Sequence, residues 1–151
     1  MKNMRQSKHF KSNERGTTLV EFSIAATVFL VSMFAVIEFG RALYVHNALA
    51  DAARRGARYA VLHSAEDINK VKNVVVYGDA EGGEQPLIPN LTTENVSVTY
   101  SDFALNQGTA SVSINNYEFQ FVIPIVGTTI TMPNYTTTLS GESIGWIPAD
   151  M

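Results

Sequence analysis

Hydrophobic and polar positions fall into three regimes along the chain. From Leu19 to Ile37 only Glu21 is charged, and Phe22 to Ile37 is a run of 16 uncharged residues. At a rise of about 1.5 Å per residue, a helix over 19–37 is about 28 Å long, close to the roughly 30 Å hydrocarbon thickness of a bilayer. A membrane span over about 19–37 is therefore expected. A core helix of a soluble protein fits this length too, but not a basic leader placed directly before it.

The second regime, residues 41–62, has no proline and many strong helix formers, so helix is expected from about Thr17 to about Leu62. Ala48, Ala52, Gly56 and Ala60 recur at four-residue steps beside Leu49, Ala53, Ala57 and Val61. This amphipathic extension has two readings, close approach of another subunit and packing on its own domain. Asp51 precedes Arg54 and Arg55 by three and four residues, and with Arg58 these suggest a solvated face with local ion pairs. Contact of the three arginines with acidic lipid headgroups or a neighbouring acidic surface is the minority reading.

In the third regime the period falls to two. Asp67 to Lys72 finishes a helical turn or short helix, and Val74-Val75-Val76-Tyr77 is expected to start a β-rich region. Val96, Val98 and Tyr100 alternate with Ser97 and Thr99, and Ala110, Val112 and Ile114 with Ser111 and Ser113. Phe119, Phe121 and Ile123 suggest a third, more fully buried strand, and Thr128 to Leu139 adds one or two around Pro133-Asn134. The fold class expected is α+β: a long N-terminal transmembrane and amphipathic helix, then a small antiparallel sheet with one face under the amphipathic half of the helix.

Charge adds a direction. Residues 1–16 hold Lys2, Arg5, Lys8, Lys11 and Arg15 against Glu14, whereas residues 73–151 hold eight acids and no Lys or Arg. The positive-inside rule keeps such an N-terminus cytoplasmic and exports the acidic domain. After Ile37 the chain gives Glu38-Phe39-Gly40-Arg41 and stays helical, with no small-residue cleavage site of the secretory kind, so the span is expected to be retained. Glu38 and Arg41, three residues apart, fit an interfacial ion pair. The organisation expected is a basic leader over 1–16, a long helix over 17–63 and an exported acidic β-rich domain over 64–151.

Candidate chemistry is sparse. The chain has no cysteine, which removes disulfides, thiolate metal sites and a cysteine nucleophile. His9, His46 and His63 are far apart in sequence, and no phosphate-binding loop, nucleophile elbow or H-E-x-x-H is present. Asp79, Glu81 and Glu84 around Gly82-Gly83 miss the twelve-residue calcium-loop spacing and read as a solvated acidic turn. Three Asn-x-Ser/Thr triplets, at Asn90, Asn95 and Asn134, recur by chance in such sequence. No catalytic residue, metal site, cofactor or nucleic-acid partner is expected, and a hydrolase would need a convergent acid/base site that the sequence does not display.

The junction Arg15-Gly16-Thr17-Thr18-Leu19-Val20-Glu21-Phe22 resembles a prepilin processing site: a basic leader ending in Gly, four residues, then Glu and an aromatic. Together with Ile37-Glu38-Phe39-Gly40-Arg41 and Ala52-Ala53-Arg54-Arg55-Gly56-Ala57-Arg58 it resembles the TadE-like family, minor pilins or pseudopilins of the tight-adherence (Tad/Flp) type IVb pilus. The resemblance covers about residues 15–60. Many family members carry a proline where this chain has Thr27, so the resemblance does not extend to a proline kink.

The resemblance implies cleavage between Gly16 and Thr17 by a membrane prepilin peptidase, of which the chain is a substrate and not an enzyme. It implies an assembly role for Glu21 and Phe22, with Glu21 pairing with the free amine of Thr17 on an adjacent subunit. A carboxylate at the cytoplasmic interface is the plainer reading of Glu21. Partners implied are the prepilin peptidase, other pilins and pseudopilins, the pilus assembly platform and membrane lipid, at the bacterial inner membrane or in the pilus. The rival function is a permanently anchored exported binding or adhesin-like domain.

Overall fold

The computed structural model describes residues 14–63, 65–101, 108–122 and 129–140. His9, most of the basic leader, Ile123 and Thr128 lie outside the described residues. The chain divides into two compact units, Met1–Ile37 and Glu38–Met151. Helix α1, Glu14–Leu62, contributes to both; it starts three residues before the expected Thr17, within the expected leader, and runs without a break to Leu62 because no proline or paired glycine interrupts its 49 residues. Near its C-terminal end His63 stacks on Tyr59 with ring centroids 3.8 Å apart. Its Nδ1 donates to the Tyr59 carbonyl at 2.9 Å, occupying one of the acceptors that a helix end leaves open.

The second unit is built on the small residues of α1. Leu49, Ala52, Ala53, Ala57 and Ala60 are fully buried and Val61 nearly so, which assigns both four-residue ridges to their own domain, with Ala48 half-buried at their start. A Cβ at Gly56 would overlap Val75 Cγ2 and come within 3.3 Å of Val112 Cγ1. Gly56 is thus the notch through which α1 receives both a second helix and a strand.

That second helix, α2 at Ile68–Tyr77, corrects the expected strand start at Val74-Val75-Val76-Tyr77. Each β-branched residue costs only a few tenths of a kcal/mol of helix propensity, and tertiary packing outweighs this. Val71 and Val75, four residues apart, are fully buried on one face. The helix ends at Gly78, whose left-handed φ of 81° lets its N–H bond the Val74 carbonyl at 3.1 Å. Arg55 adds a clamp, its Nε donating to the Val74 carbonyl at 3.2 Å and its guanidinium reaching the Val75 carbonyl at 3.4 Å. This half-buried arginine therefore departs from the solvated face expected of it. Arg54 pairs with Asp51 at 2.9 Å in solvent, and Arg58 is exposed.

The strands are β1 (Val96–Ser101), β2 (Thr109–Ile114), β3 (Glu118–Gln120), β4 (Thr129–Thr131) and β5 (Tyr135–Ser140). They form two antiparallel sheets where one was expected: β1-β2-β5 and β3-β4. In the larger sheet the register places Val96, Ile114 and Tyr135 in one row and Val98, Val112 and Thr137 in the next. Its apolar face turns toward α1, as the approach of Val112 to Gly56 shows. The opposite face is a hydroxyl ladder: Ser113 and Thr136 hydroxyls meet at 2.8 Å, and Thr138 donates to Ser111 at 2.9 Å. The third strand is shorter and less buried than expected, with Phe119 buried between exposed Glu118 and Gln120. Three residues supply too few alternate positions to bury a strand on both faces.

Side chains tie the smaller sheet and the loops to this core. Tyr117 donates to the Pro89 carbonyl at 2.7 Å, and Asn95 Nδ2 donates to the carbonyls of Asn115 and Asn116, both at 3.1 Å. Asn95 is thus committed to holding the turn, whereas Asn90 and Asn134 are exposed. Asp79 accepts the Glu81 amide at 2.9 Å in a local turn.

Candidate functional site

The residues singled out by the sequence lie at the N-terminal end of α1. Gly16, Thr17, Glu21 and Phe22 are all exposed, and a Cβ built on Gly16 would meet nothing within 4 Å. Thr17 and Glu21, four residues apart, share one helix face. Among the described residues Glu21 makes no ion pair.

What surrounds them is apolar and unburied. Leu19, Phe22, Ile24, Val28, Phe29 and Val36 expose 60% or more of their surface, an arrangement that water penalises and hydrocarbon does not. The polar atoms along this stretch turn inward. Ser23 donates to the Leu19 carbonyl at 2.7 Å, Thr27 to that of Ser23 and Ser32 to that of Val28, both at 2.8 Å. Each hydroxyl is thereby satisfied within the helix, as a segment in lipid requires. Helix α1 runs on through Thr27, whose side chain takes part in this pattern. It is long and apolar enough to cross a membrane, and none of its most apolar window is buried.

At the start of the second unit the chemistry changes. Glu38 is 8% exposed, the one buried charged residue among those described, and its carboxylate receives Arg41 at 2.9 Å. Arg41 also donates to the Gln120 carbonyl, and its guanidinium lies 4.4 Å above the Phe119 ring. Phe121 meets Phe119 edge to face with centroids 5.2 Å apart. The expected Glu38–Arg41 pair is present and does more than pair charges. It fastens the helix to β3, a role invisible in sequence because Gln120 is 79 residues away.

His46 lies 2.7 Å from the Tyr135 hydroxyl, and His63 is occupied by Tyr59, so neither meets the other. Burial pushes the phenol of Tyr135 up from its ordinary pKa. Burial likewise raises Tyr117, with the Arg41 charge opposing and Tyr135 adding to the rise. Among the described residues no three His, Asp or Glu side chains gather as a metal site would need.

Comparison with family models finds a similarity over the apolar, unburied stretch and most of the buried small-residue stretch. Residues 16–58 match the family model of TadE-like proteins. The TadE-like segment begins at Gly16 itself and takes in Glu21, the apolar run, the Glu38–Arg41 pair and the Gly56 notch. Neither the curated proteins nor the solved structures include a match to the chain. The TadE-like match points to involvement in the Tad pilus, with one apolar N-terminal helix consistent with single-pass anchoring. Residues 59–151, which carry α2 and both sheets, lie outside it.

Proposed function

We propose that this chain is a minor pilin or pseudopilin, processed by a prepilin peptidase, that helps initiate, prime or cap a Tad-type type IVb pilus or secretion apparatus. The observation that carries the reading is the TadE-like match opening at Gly16, the residue before the proposed cut. Gly16 and Thr17 are exposed with open space around the glycine, which suits access by a peptidase. Cleavage there removes the basic leader and frees the amine of Thr17. The chain is then a peptidase substrate and a structural component, seated in the bacterial inner membrane with its N-terminus cytoplasmic and its acidic domain exported.

Assembly draws the apolar helix out of the bilayer into a helix bundle of pilins and pseudopilins on the assembly platform. Glu21, exposed and without an ion pair among the described residues, pairs there with the Thr17 amine of a neighbouring subunit. A carboxylate in an apolar span is costly unless paired, which gives the contact its driving force. Phe22 packs beside it.

A permanently anchored exported binding domain is the second reading, favoured by the position of residues 59–151 outside the family match. The Glu21→Ala variant separates the two. The pilin reading expects normal membrane insertion with pilus assembly lost or impaired. An anchored binder inserts and functions unchanged.

A further inference from the structure

The outer face of the larger sheet serves neither the core nor the pilus role. Its outward positions fall in rows across β1, β2 and β5: Ser97, Ser113 and Thr136 form one row, and Thr99, Ser111 and Thr138 the next. The third row, begun by Ser101, is again serine or threonine throughout. The positions on β1 and β5 in the first two rows are exposed, and the central Ser111 and Ser113 are half-buried. A soluble surface carries about 25–35% charged residues, so about two or three positions of such a grid would be charged. None is, although residues 73–151 hold eight acids.

Every hydroxyl is both a donor and an acceptor. Cross-strand bonds order them here: Ser113 and Thr136 meet at 2.8 Å, Thr138 donates to Ser111 at 2.9 Å, and Asn115 Nδ2 donates to Ser97 at 2.9 Å. Ser97 and Ser111 accept in these bonds and keep their own protons, as does one hydroxyl of the Ser113–Thr136 pair. The face therefore offers donors and acceptors side by side. It is also flat, since no side chain on it is longer than threonine, and short or β-branched side chains lose little freedom on being covered. With strands about 4.8 Å apart and a two-residue repeat of about 6.8 Å, the grid spans about 10 by 14 Å.

These properties select the partner. An apolar surface would leave the hydroxyls unbonded. A polyanion or polycation finds no counter-charge at any outward position, and the acidic domain repels the former. A neutral chain of sugar rings supplies donors and acceptors together, and an extended ribbon suits a face without a groove. We infer that the serine and threonine face of β1, β2 and β5 binds a neutral, extended polysaccharide of the β-linked glucan class. Sugar hydroxyls exchange hydrogen bonds with the ladder, while the methyls of Thr99, Thr136 and Thr138 lie against ring C–H groups. The inference uses the C-terminal domain alone and holds whether the chain is assembled into a pilus or stays anchored.

The full-length chain in phosphatidylcholine nanodiscs is mixed with microcrystalline cellulose, with empty nanodiscs as the blank. Saturable retention is expected, displaced by soluble cellohexaose and not by polygalacturonate, a charged chain. Thr136→Val combined with Thr138→Val keeps the shape and removes two hydroxyls, and is expected to weaken retention about tenfold or more. Thr136→Ser combined with Thr138→Ser keeps the hydroxyls and is expected to stay within a few-fold of the parent. Glu81→Gln, in the acidic turn, leaves retention unchanged. In the parent chain itself, cellohexaose is expected to shift the amide resonances of Ser111 and Thr138 and to leave those of α2 in place, a result that does not depend on how the variants fold.

Retention of the parent chain no greater than the blank overturns the inference. Retention unaffected by the valine pair, or shifts confined to other elements, puts the ligand elsewhere and overturns it too. Equal displacement by polygalacturonate overturns the neutral class. Resonances of β2 and β5 that move with protein concentration and not with cellohexaose mean that a second copy covers the face, and the inference fails. None of these outcomes bears on cleavage after Gly16, which is read separately from the N-terminal residue.

Discussion

One helix does two jobs with two kinds of apolar residue. Between Leu19 and Ile37 its hydrophobic side chains are mostly large and exposed, whereas between Leu49 and Val61 they are mostly small and buried. Large unburied side chains call for an apolar solvent, and small buried ones call for a close protein neighbour. Hydrophobicity alone does not separate these demands; side-chain volume does. The two glycines make the contrast plain: a Cβ added at Gly40 would meet nothing within 4 Å, while one added at Gly56 would run into Val75 and Val112.

The contrast is broken most severely through the core. Phe119 is 1% exposed beneath Arg41 and against Phe121, so Phe119→Ala is expected to cost the C-terminal domain about 3–5 kcal/mol. Denaturant unfolding in detergent reads that loss directly. In the other region, Val28→Arg leaves the domain's stability unchanged and opposes insertion by about 2.5–3.5 kcal/mol near the helix centre. Alkaline extraction of membranes measures it, with the variant recovered increasingly in the soluble fraction.

The glycines sharpen the same comparison. Gly56→Val overpacks against two valines and is expected to cost about 1–3 kcal/mol. Gly40→Ala meets open space and is expected to be neutral or to stabilise the helix by up to about 1 kcal/mol. Paired thermal melts of the two variants should therefore move in opposite directions, or the second should not move at all.

The smallest effect concerns the phenols. Tyr117→Phe loses the bond to the Pro89 carbonyl at 2.7 Å, worth about 1 kcal/mol. Because burial raises Tyr117 and Tyr135 above the ordinary phenol value of 10.0, the unfolded chain releases these protons first as pH rises. Their stabilising contribution is complete below pH 10 and is lost as pH climbs through 10 toward the raised values in the folded state. Unfolding measured across pH 9 to about 11.5 should show a shallower decline in Tyr117→Phe than in the parent chain.

The continuity of α1 and its end at Leu62 were legible because the apolar run and the proline-free alanine-rich stretch give long, consistent signals; its start at Glu14, ahead of the expected Thr17, was not. Strands β1 and β2 were legible from strict alternation of valine and isoleucine with serine and threonine. Val74-Val75-Val76 was not, because three successive valines carry no period, and the choice of helix rests on Gly56 and the Gly78 cap. Two sheets could not be told from one, since β3 and β4 are three residues each. The clamp made by Arg55 was hidden for a related reason: its acceptors lie about five helical turns further along the chain and come near only when α2 folds back.

At the candidate site, Gly16, Thr17, Glu21 and Phe22 were legible as a pattern of residue types. All four are exposed, and the reading of their roles assigns their partners to other molecules.

The central claim is that the chain is cut between Gly16 and Thr17, and the N-terminal residue of the protein in native membranes tests it most directly. Mass spectrometry on membranes from cells with an active prepilin peptidase is expected to find a chain beginning at Thr17. An intact start at Met1 in those cells contradicts the claim and leaves the anchored binding domain.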